Sequence, residues 1–460
     1  MKKYRKPILL LLLLLGSLTA AYFIWQKYST PKVDEDIALL NDWYELALEI
    51  ETDIEGIAVP VAGRFYGYFG FIPMTIEASE KGQLDQLSYY FPNLDLSELK
   101  NRENTRFGPA FNKAARVFLS RYYINIPYHL NKKAEDIENK WNQRWMKELG
   151  PEITENSKSL GRDIANAVYT WSEEDEQGHQ AYLHNFDKTY EPPKGPGLWK
   201  EDDEHPMPAL LPYWGKVCPF VIKTDEFIAR PLPPYSSDHN SIYYIQALEL
   251  FTISAPLSYE NKWISEYWSD DVRGLTFTPA GRWISILKQF VSQNGISREK
   301  AIEAYFKVGI GISDALVACW NSKYIYNLER PQDFIRKNIH EDWRAFHHSP
   351  NFPSYPSGHS TIGGVSSTIL ANLFGDKIDF TDKSHEGRIE FQGKSRHFTS
   401  FKEMAEENAY SRIPLGVHYR MDCQEGLRIG EEIGKLINQI KFTPHSKSKR
   451  AQTGAPISAI

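Results

Sequence analysis

The chain has 460 residues, with 53 Lys and Arg against 59 Asp and Glu, a net charge of −6 and 42% hydrophobic residues. That is enough apolar sequence for a sizeable core, and the mildly acidic balance excludes the broad basic face that nucleic-acid binding needs. Three scattered cysteines, Cys218, Cys319 and Cys423, exclude a disulfide framework or a zinc site.

Lys2, Lys3, Arg5 and Lys6 precede an uncharged apolar run from Pro7 to Trp25. At the helical rise that run extends about 28 Å, enough for a bilayer. Residues 1–30 therefore read as a signal peptide or N-terminal membrane anchor. The basic flank stays in the cytoplasm and the body lies beyond the membrane, in the periplasm or cell envelope. Thr19-Ala20-Ala21 offers a cleavage site, whereas Tyr22-Phe-Ile-Trp25 continues the run as an anchor would.

From there an all-α fold is expected, a large helical bundle with no later segment of membrane-spanning length. Residues 31–230 form an N-terminal helical region with a long loop. Within it Asp34 to Ile54 has apolar residues at helical spacing, and Glu135 to Trp145 is a charged helix. Ser172 to Asp187 is acidic, and Tyr190 to Pro212 is Pro-rich without periodicity, which predicts a long surface loop. Residues 231–443 form the C-terminal catalytic domain. Its helices are expected over Ser241–Ser254, Trp283–Gln293, Arg298–Cys319, Ser360–Phe374, Phe401–Tyr410 and Asp422–Ile440. The polar stretch Gly375 to Phe398 alternates at Arg388-Ile-Glu-Phe-Gln392, which predicts a short β-hairpin near 388–398 or a flap over the site. Residues 444–460 read as a disordered tail.

Three segments of the last third carry chemistry: Lys323-(six residues)-Arg330-Pro331, Pro356-Ser357-Gly358-His359, and Ser411-Arg412-(five residues)-His418-(three residues)-Asp422. Together they offer three permanent cations, a hydroxyl, a Gly-loosened turn and two histidines. A phosphate or vanadate needs that set: charge and donors for its oxygens, one His to bond the central atom and one to move protons. Lys323 and Arg330 lie seven apart, which on a helix places them on one face, and Pro331 sits where a helix commonly ends or kinks. Ser357 and the Gly358 N–H fall at the start of a helix after Pro356, a ready anion site. Gly358 lets the backbone approach the anion. His418 and Asp422 are four apart, so the carboxylate can hold one ring nitrogen and leave the other free.

Singly, each feature has a bland reading: a solvated surface charge, a plain turn, a surface His–Asp contact. Their joint order and spacing decide against coincidence. His347 and His348 read as an exposed loop pair because no third metal ligand is evident. For Cys319 and Cys423, which adjoin the motifs, free buried thiols are expected, with one bridge as the alternative.

At these residues the chain resembles the superfamily of type 2 phosphatidic acid phosphatases and vanadium haloperoxidases, matching its three-part signature at every position. The resemblance implies that Lys323, Arg330 and Arg412 hold equatorial oxygens, with Ser357 and the Gly358 N–H as further donors. It makes His359 the general acid/base and Asp422 the residue that orients His418. His418 becomes the phosphate nucleophile of a phosphatase or the axial ligand of vanadate. Trp320 and Phe352 occupy places where the resemblance to fungal-type chloroperoxidases puts aromatics beside the oxyanion; the alternative is that both are core aromatics. A wider likeness to bacterial haloperoxidase-like proteins spans roughly residues 40–440, through Gly195–Trp199, Pro212–Gly215, Tyr267-Trp268-Ser-Asp-Asp271 and Thr278-Pro279 with Trp283. Pro414-Leu415 departs from the aromatic and Gly of many relatives, which bears on the pocket wall.

The expected activity is therefore vanadate-dependent oxidation of halide by hydrogen peroxide. The alternative is phosphoester hydrolysis through a phosphohistidine, by an exported acid or lipid-phosphate phosphatase. A non-catalytic oxyanion-binding envelope protein fits least, because simple binding requires neither His359 nor His418.

Overall fold

A computed structural model describes residues 34–99, 102–202, 206–270, 274–390 and 394–442. The expected leader at 1–30 and tail at 444–460 lie outside the described residues. Among those described, the fold is fourteen α-helices with one two-stranded antiparallel sheet, and no helix is long and apolar enough to cross a membrane. The expected all-α class holds.

α1 (Glu35–Asp53) starts at Asp34, whose side chain accepts from the Asp36 N–H. α2 (Val59–Glu80) is buried on every side from Pro60 to Ala78. A helix without a solvent face has no amphipathic stripe, which is why its sequence carries no helical signal. α3 (Leu84–Tyr90), α4 (Phe107–Tyr122), α5 (Tyr128–Glu148) and α6 (Gly150–Glu173) complete the first half, α4 packing on α6. The charged helix expected over Glu135–Trp145 is the middle of α5.

The second half runs α7 (Ile242–Ser254), α8 (Tyr259–Tyr267), α9 (Pro279–Gln293), α10 (Arg298–Tyr326), α11 (Pro331–Asn338) and α12 (Gly358–Phe374). Strands β1 (Lys377–Asp382) and β2 (Arg396–Ser400) follow, then α13 (Phe401–Ser411) and α14 (Arg420–Ile437). α10 is the axis: it packs along α2, α12 and α14. A Cβ on Gly309 would stand 2.3 Å from the Tyr66 carbonyl oxygen, so only glycine allows α10 to lie this close to α2. A Cβ on Gly426 of α14 would stand 2.6 Å from the Ser357 oxygen. That approach seats the start of α14 against the start of α12, where two of the sequence motifs meet.

Several expectations change. Lys323 and Arg330 do not share a helix face. α10 ends at Tyr326, Asn327 takes a left-handed φ of 46°, and Arg330 is the N-cap of α11. Pro331 begins that helix, where its missing N–H leaves no bond unmade. His418 likewise precedes α14, with Asp422 in its first turn. The hairpin is displaced from 388–398: β1 pairs Phe380 with Phe398 and Asp382 with Arg396, while 388–390 is turn and Ile389 is exposed. Nor is it a flap, because no described residue of 377–400 lines the cavity described below. The described residues of 190–212 hold no helix, but they are pinned to the core. Trp199 and Leu210 are buried, and the Trp199 N–H donates to the Asn327 oxygen at 2.7 Å. All three cysteines are free, Cys319 and Cys423 buried.

Candidate active site

The three motifs converge. Trp320 and Lys323 come from the last two turns of α10, Arg330 from the α11 N-cap, and Ser357, Gly358 and His359 from the start of α12. Arg412 follows α13, His418 precedes α14 and Asp422 sits in its first turn. They surround the inner end of a cavity of about 1070 Å³. Trp320, Phe352, Gly358, His359, Arg412 and His418 line it, while Lys323, Arg330, Ser357 and Asp422 stand behind.

His418 is the best-determined group. Its Nδ1 lies 3.0 Å from Asp422 Oδ2, and its Nε2 lies 3.3 Å from Arg330 Nη1. A guanidinium only donates, so Nε2 carries the lone pair and Nδ1–H faces the carboxylate. Burial, then Arg330, Lys323 and Arg412, push the His418 imidazolium well below the usual histidine range. The ring is therefore neutral, with an available nitrogen. Asp422 Oδ2 also accepts from the Ser354 hydroxyl at 2.5 Å and the Tyr419 N–H at 3.1 Å. Burial raises the Asp422 carboxyl to about 6, with the Ser354 bond the foremost opposing effect.

His359 is the second histidine. Burial, then Arg412 and Lys323, hold it well below the ordinary histidine range, while the Trp268 backbone opposes them. Its Nε2 is buried and meets no partner among the described residues, in a residue that faces the cavity. The same Trp268 carbonyl accepts from Arg412 Nη1 at 3.0 Å.

The cations are braced by backbone. Arg330 donates from Nε to the Phe352 oxygen and from Nη1 to the Val417 oxygen, both at 2.9 Å, and its buried Nη2 is left without a partner among the described residues. Lys323 donates to the carbonyl oxygens of Pro353, Ser354 and Pro356 at 2.9, 2.9 and 2.6 Å. Burial lowers its ammonium to about 7, yet three acceptors at such distances require the three protons of the charged form. Here Lys323 fixes the loop and adds a positive charge behind it. Ser357 caps α12 by accepting from the Ser360 N–H at 3.4 Å.

The wall is aromatic. Trp320 and Phe352 have ring centroids 5.0 Å apart, and the Arg330 guanidinium lies 4.8 Å from the Phe352 centroid. Leu415, from the departing Pro414-Leu415 pair, also lines the cavity, so that wall is aliphatic. His348 is exposed and His347 half-buried; both face the outer cavity. No group of three His, Cys, Asp or Glu placed to hold a metal ion occurs among the described residues.

Sequence reasoning missed Ser354 and the Trp268 carbonyl. Ser354 sits in an extended, turn-prone run, where a hydroxyl carries no distinctive signal. A backbone carbonyl carries none at all, and only the aromatic cluster Tyr267-Trp268 marked the place.

Residues 303–443 match a family model described as the VCPO second helical-bundle domain. Over those residues the chain is similar to the vanadium haloperoxidases. It is 22% identical over 350 residues to the vanadium chloroperoxidase of Curvularia inaequalis, covering 57% of this chain and 56% of that one. It is 37% identical over 95 residues to the vanadium-dependent bromoperoxidase of Ascophyllum nodosum, covering 18% and 17%. The chain thus spans about half the length of the first of these relatives and under a fifth of the second. Its fold is that of a bacterial vanadium-dependent iodoperoxidase, with a TM-score of 0.73, 24% identity, and coverage of 90% of this chain and 98% of that one. A holo-type bacterial vanadium-dependent chloroperoxidase shares it at a TM-score of 0.61 and 17% identity, covering 85% and 93%.

Proposed function

We propose that the protein is a haloperoxidase that holds vanadate at His418 and uses hydrogen peroxide to oxidise halide. The observation that carries this is the His418 nitrogen, kept neutral by burial and aimed by Asp422 into a cavity lined by a buried His359 Nε2 and backed by a buried Arg330 Nη2, neither with a partner among the described residues. An oxyanion satisfies those groups together: Nη2 donates to an oxygen, and the His418 nitrogen bonds the central atom. The donor set fits vanadate, with His418 as ligand, Arg330, Arg412, Ser357 and the Gly358 N–H around its oxygens, and Lys323 supplying charge from behind.

When bound, vanadate supplies a Lewis acid that activates peroxide without changing its own oxidation state. The chain supplies the rest. His359, neutral at rest, accepts a proton from incoming peroxide at Nε2 and returns one to a departing oxygen. The cations draw charge from the reacting oxygens in a site shielded from water. Trp320 and Phe352 give a weakly hydrated halide a tolerable apolar wall, whereas a multiply charged phosphoester loses its hydration there at a higher cost. The test is peroxide-dependent bromination by protein loaded with orthovanadate, set against aryl phosphate hydrolysis by the same protein.

The reaction is proposed to take place outside the cytoplasm, attached to or released from the membrane through residues 7–25. The basic flank before an uncharged run of spanning length supports this. A periplasm-dependent reporter fused after residue 450 is expected to be active; activity only of a cytoplasmic reporter refutes it.

A further inference from the structure

Behind the site lies a group of buried ionisable side chains that the proposed chemistry does not use. Arg282 of α9 is fully buried, its Nη1 3.1 Å from Asp270 Oδ1 and its Nη2 2.8 Å from Asp382 Oδ2. His385 donates from Nε2 to the same Asp270 oxygen at 2.6 Å. The Tyr267 hydroxyl donates to Asp382 Oδ2 at 2.5 Å. The Arg282 guanidinium also lies 4.5 Å from the Tyr267 ring centroid and 4.8 Å from that of Trp268. Asp382 ends β1 and His385 lies in the excursion that follows, so the hairpin brings both into the interior.

All of these contacts except the Arg282–Asp382 pair fall on the four residues Tyr267 to Asp270. Trp268 is held again by its indole N–H, which donates to Glu407 at 3.0 Å, and Ser269 by its hydroxyl, which donates to the Ser265 oxygen at 2.7 Å. Two groups of this segment face the active site: Asp270, which lines the cavity, and the Trp268 carbonyl. The carbonyl accepts from Arg412 at 3.0 Å and favours a proton on the His359 ring. His359 Nε2 has no partner among the described residues, which leaves Nδ1 as the ring nitrogen for the Trp268 carbonyl to favour. A carbonyl only accepts, so it fixes the Nδ1–H tautomer and leaves the Nε2 lone pair facing the cavity.

Burying two carboxylates, a guanidinium and an imidazole is costly compared with packing apolar side chains of the same size. We propose that Arg282, with Asp382 and His385 carried in by the hairpin, is a positioning device that fixes the Trp268 carbonyl, and through it the tautomer of His359 and the aim of Arg412. None of the three lines the cavity, so none is a catalytic residue. They act through a backbone oxygen, as outer-shell partners of metal and oxyanion ligands do. The inference rests on the cavity being an oxyanion site, but one of its readouts does not.

The test uses His385→Phe, which keeps a ring beside Phe277 and removes the donor to Asp270, and His385→Gln, whose amide nitrogen can reach where Nε2 was. Ring-nitrogen NMR of ¹⁵N-histidine protein without added anion, with the His359 signals assigned by their loss in His359→Gln, reports the tautomer. Calorimetry with inorganic phosphate and with orthovanadate reports affinity. His385→Phe is expected to mix the His359 tautomers and weaken both anions about 10- to 100-fold, with His385→Gln recovering the single tautomer and most of the affinity. If His385→Phe does not fold, Tyr267→Phe, which frees Asp382 from the same segment, is read by the same two measurements. A folded variant with a single Nδ1–H tautomer and unchanged affinity overturns the proposal. A mixed tautomer with no anion bound by any form, wild type included, upholds the positioning role and refutes the oxyanion site instead.

Discussion

Ser354→Ala removes one hydroxyl and tests how His418 is held. In the protein that hydroxyl donates to Asp422 Oδ2 at 2.5 Å, and Asp422 in turn holds His418 Nδ1 at 3.0 Å. A hydrogen bond to a buried charge contributes about 1.5–3 kcal/mol, and loss of an outer-shell partner lowers the affinity of a metal site about 10- to 100-fold. The substitution also has a pH signature. Burial already places Asp422 at about 6, and the Ser354 bond is the foremost effect opposing it. Losing that bond moves the carboxyl further up. Near pH 6.5 the variant's ionised fraction is then below that of the wild type, a gap that narrows as the pH rises to 8.5. Because a neutral Asp422 no longer accepts the Nδ1–H bond well, the wild-type-to-variant affinity ratio for orthovanadate should be larger at pH 6.5 than at pH 8.5. The probe's own ionisation cancels in that ratio. The sign agrees with stability: a carboxyl raised on folding contributes fully below its unfolded value and loses that contribution as pH rises through about 6. Calorimetric titration at the two pH values gives the answer. Equal affinity for variant and wild type, or a ratio larger at pH 8.5, refutes the account of the Asp422–His418 pair.

Phe352→Ala removes the ring that packs 5.0 Å from Trp320 and lies under Arg330. Halide oxidation should fall at least tenfold, while orthovanadate affinity falls only by the lost cation–π contact, about 0.5–2 kcal/mol; equal losses in the two assays would place Phe352 in the core and not in the pocket. His418 should stay neutral at pH 6, where an exposed histidine is about three quarters protonated, because burial and then Arg330 oppose its charge. A ring-nitrogen titration of the anion-free protein that shows ordinary protonation near pH 6.5 would contradict the electrostatics of the cavity.

The chemistry was legible because it resides in side chains with few other uses in that order. Lys323, Arg330, Ser357, Gly358, His359, Arg412, His418 and Asp422 are drawn from five separate helix ends, yet their types and spacing alone brought them to one site. The helices carrying a solvent face, such as α1 and α14, were visible within a few residues of their ends. What stayed hidden has physical causes. α2 is buried all round and shows no period. The turn at Asn327 broke the two-turn spacing assumed between Lys323 and Arg330, since a single left-handed residue redirects the chain. The alternation at Arg388–Gln392 drew attention from Lys377–Asp382, whose Phe380 is buried against the core. Ser354 and the Trp268 carbonyl act through groups common to all loops, so only their placement reveals them.

The central claim is vanadate-dependent halide oxidation at His418. The measurement that tests it most directly uses residues 30–460, stripped of bound anion, with orthovanadate added in increasing amounts. Bromination of a reporter dye by hydrogen peroxide and hydrolysis of an aryl phosphate are followed on the same samples, with His418→Ala alongside. Bromination should appear in proportion to vanadate bound and saturate at one per chain, the slow phosphate hydrolysis should disappear as vanadate binds, and His418→Ala should lack both. Rapid phosphate ester turnover with no bromination from fully loaded protein would contradict the account and leave a phosphatase in its place.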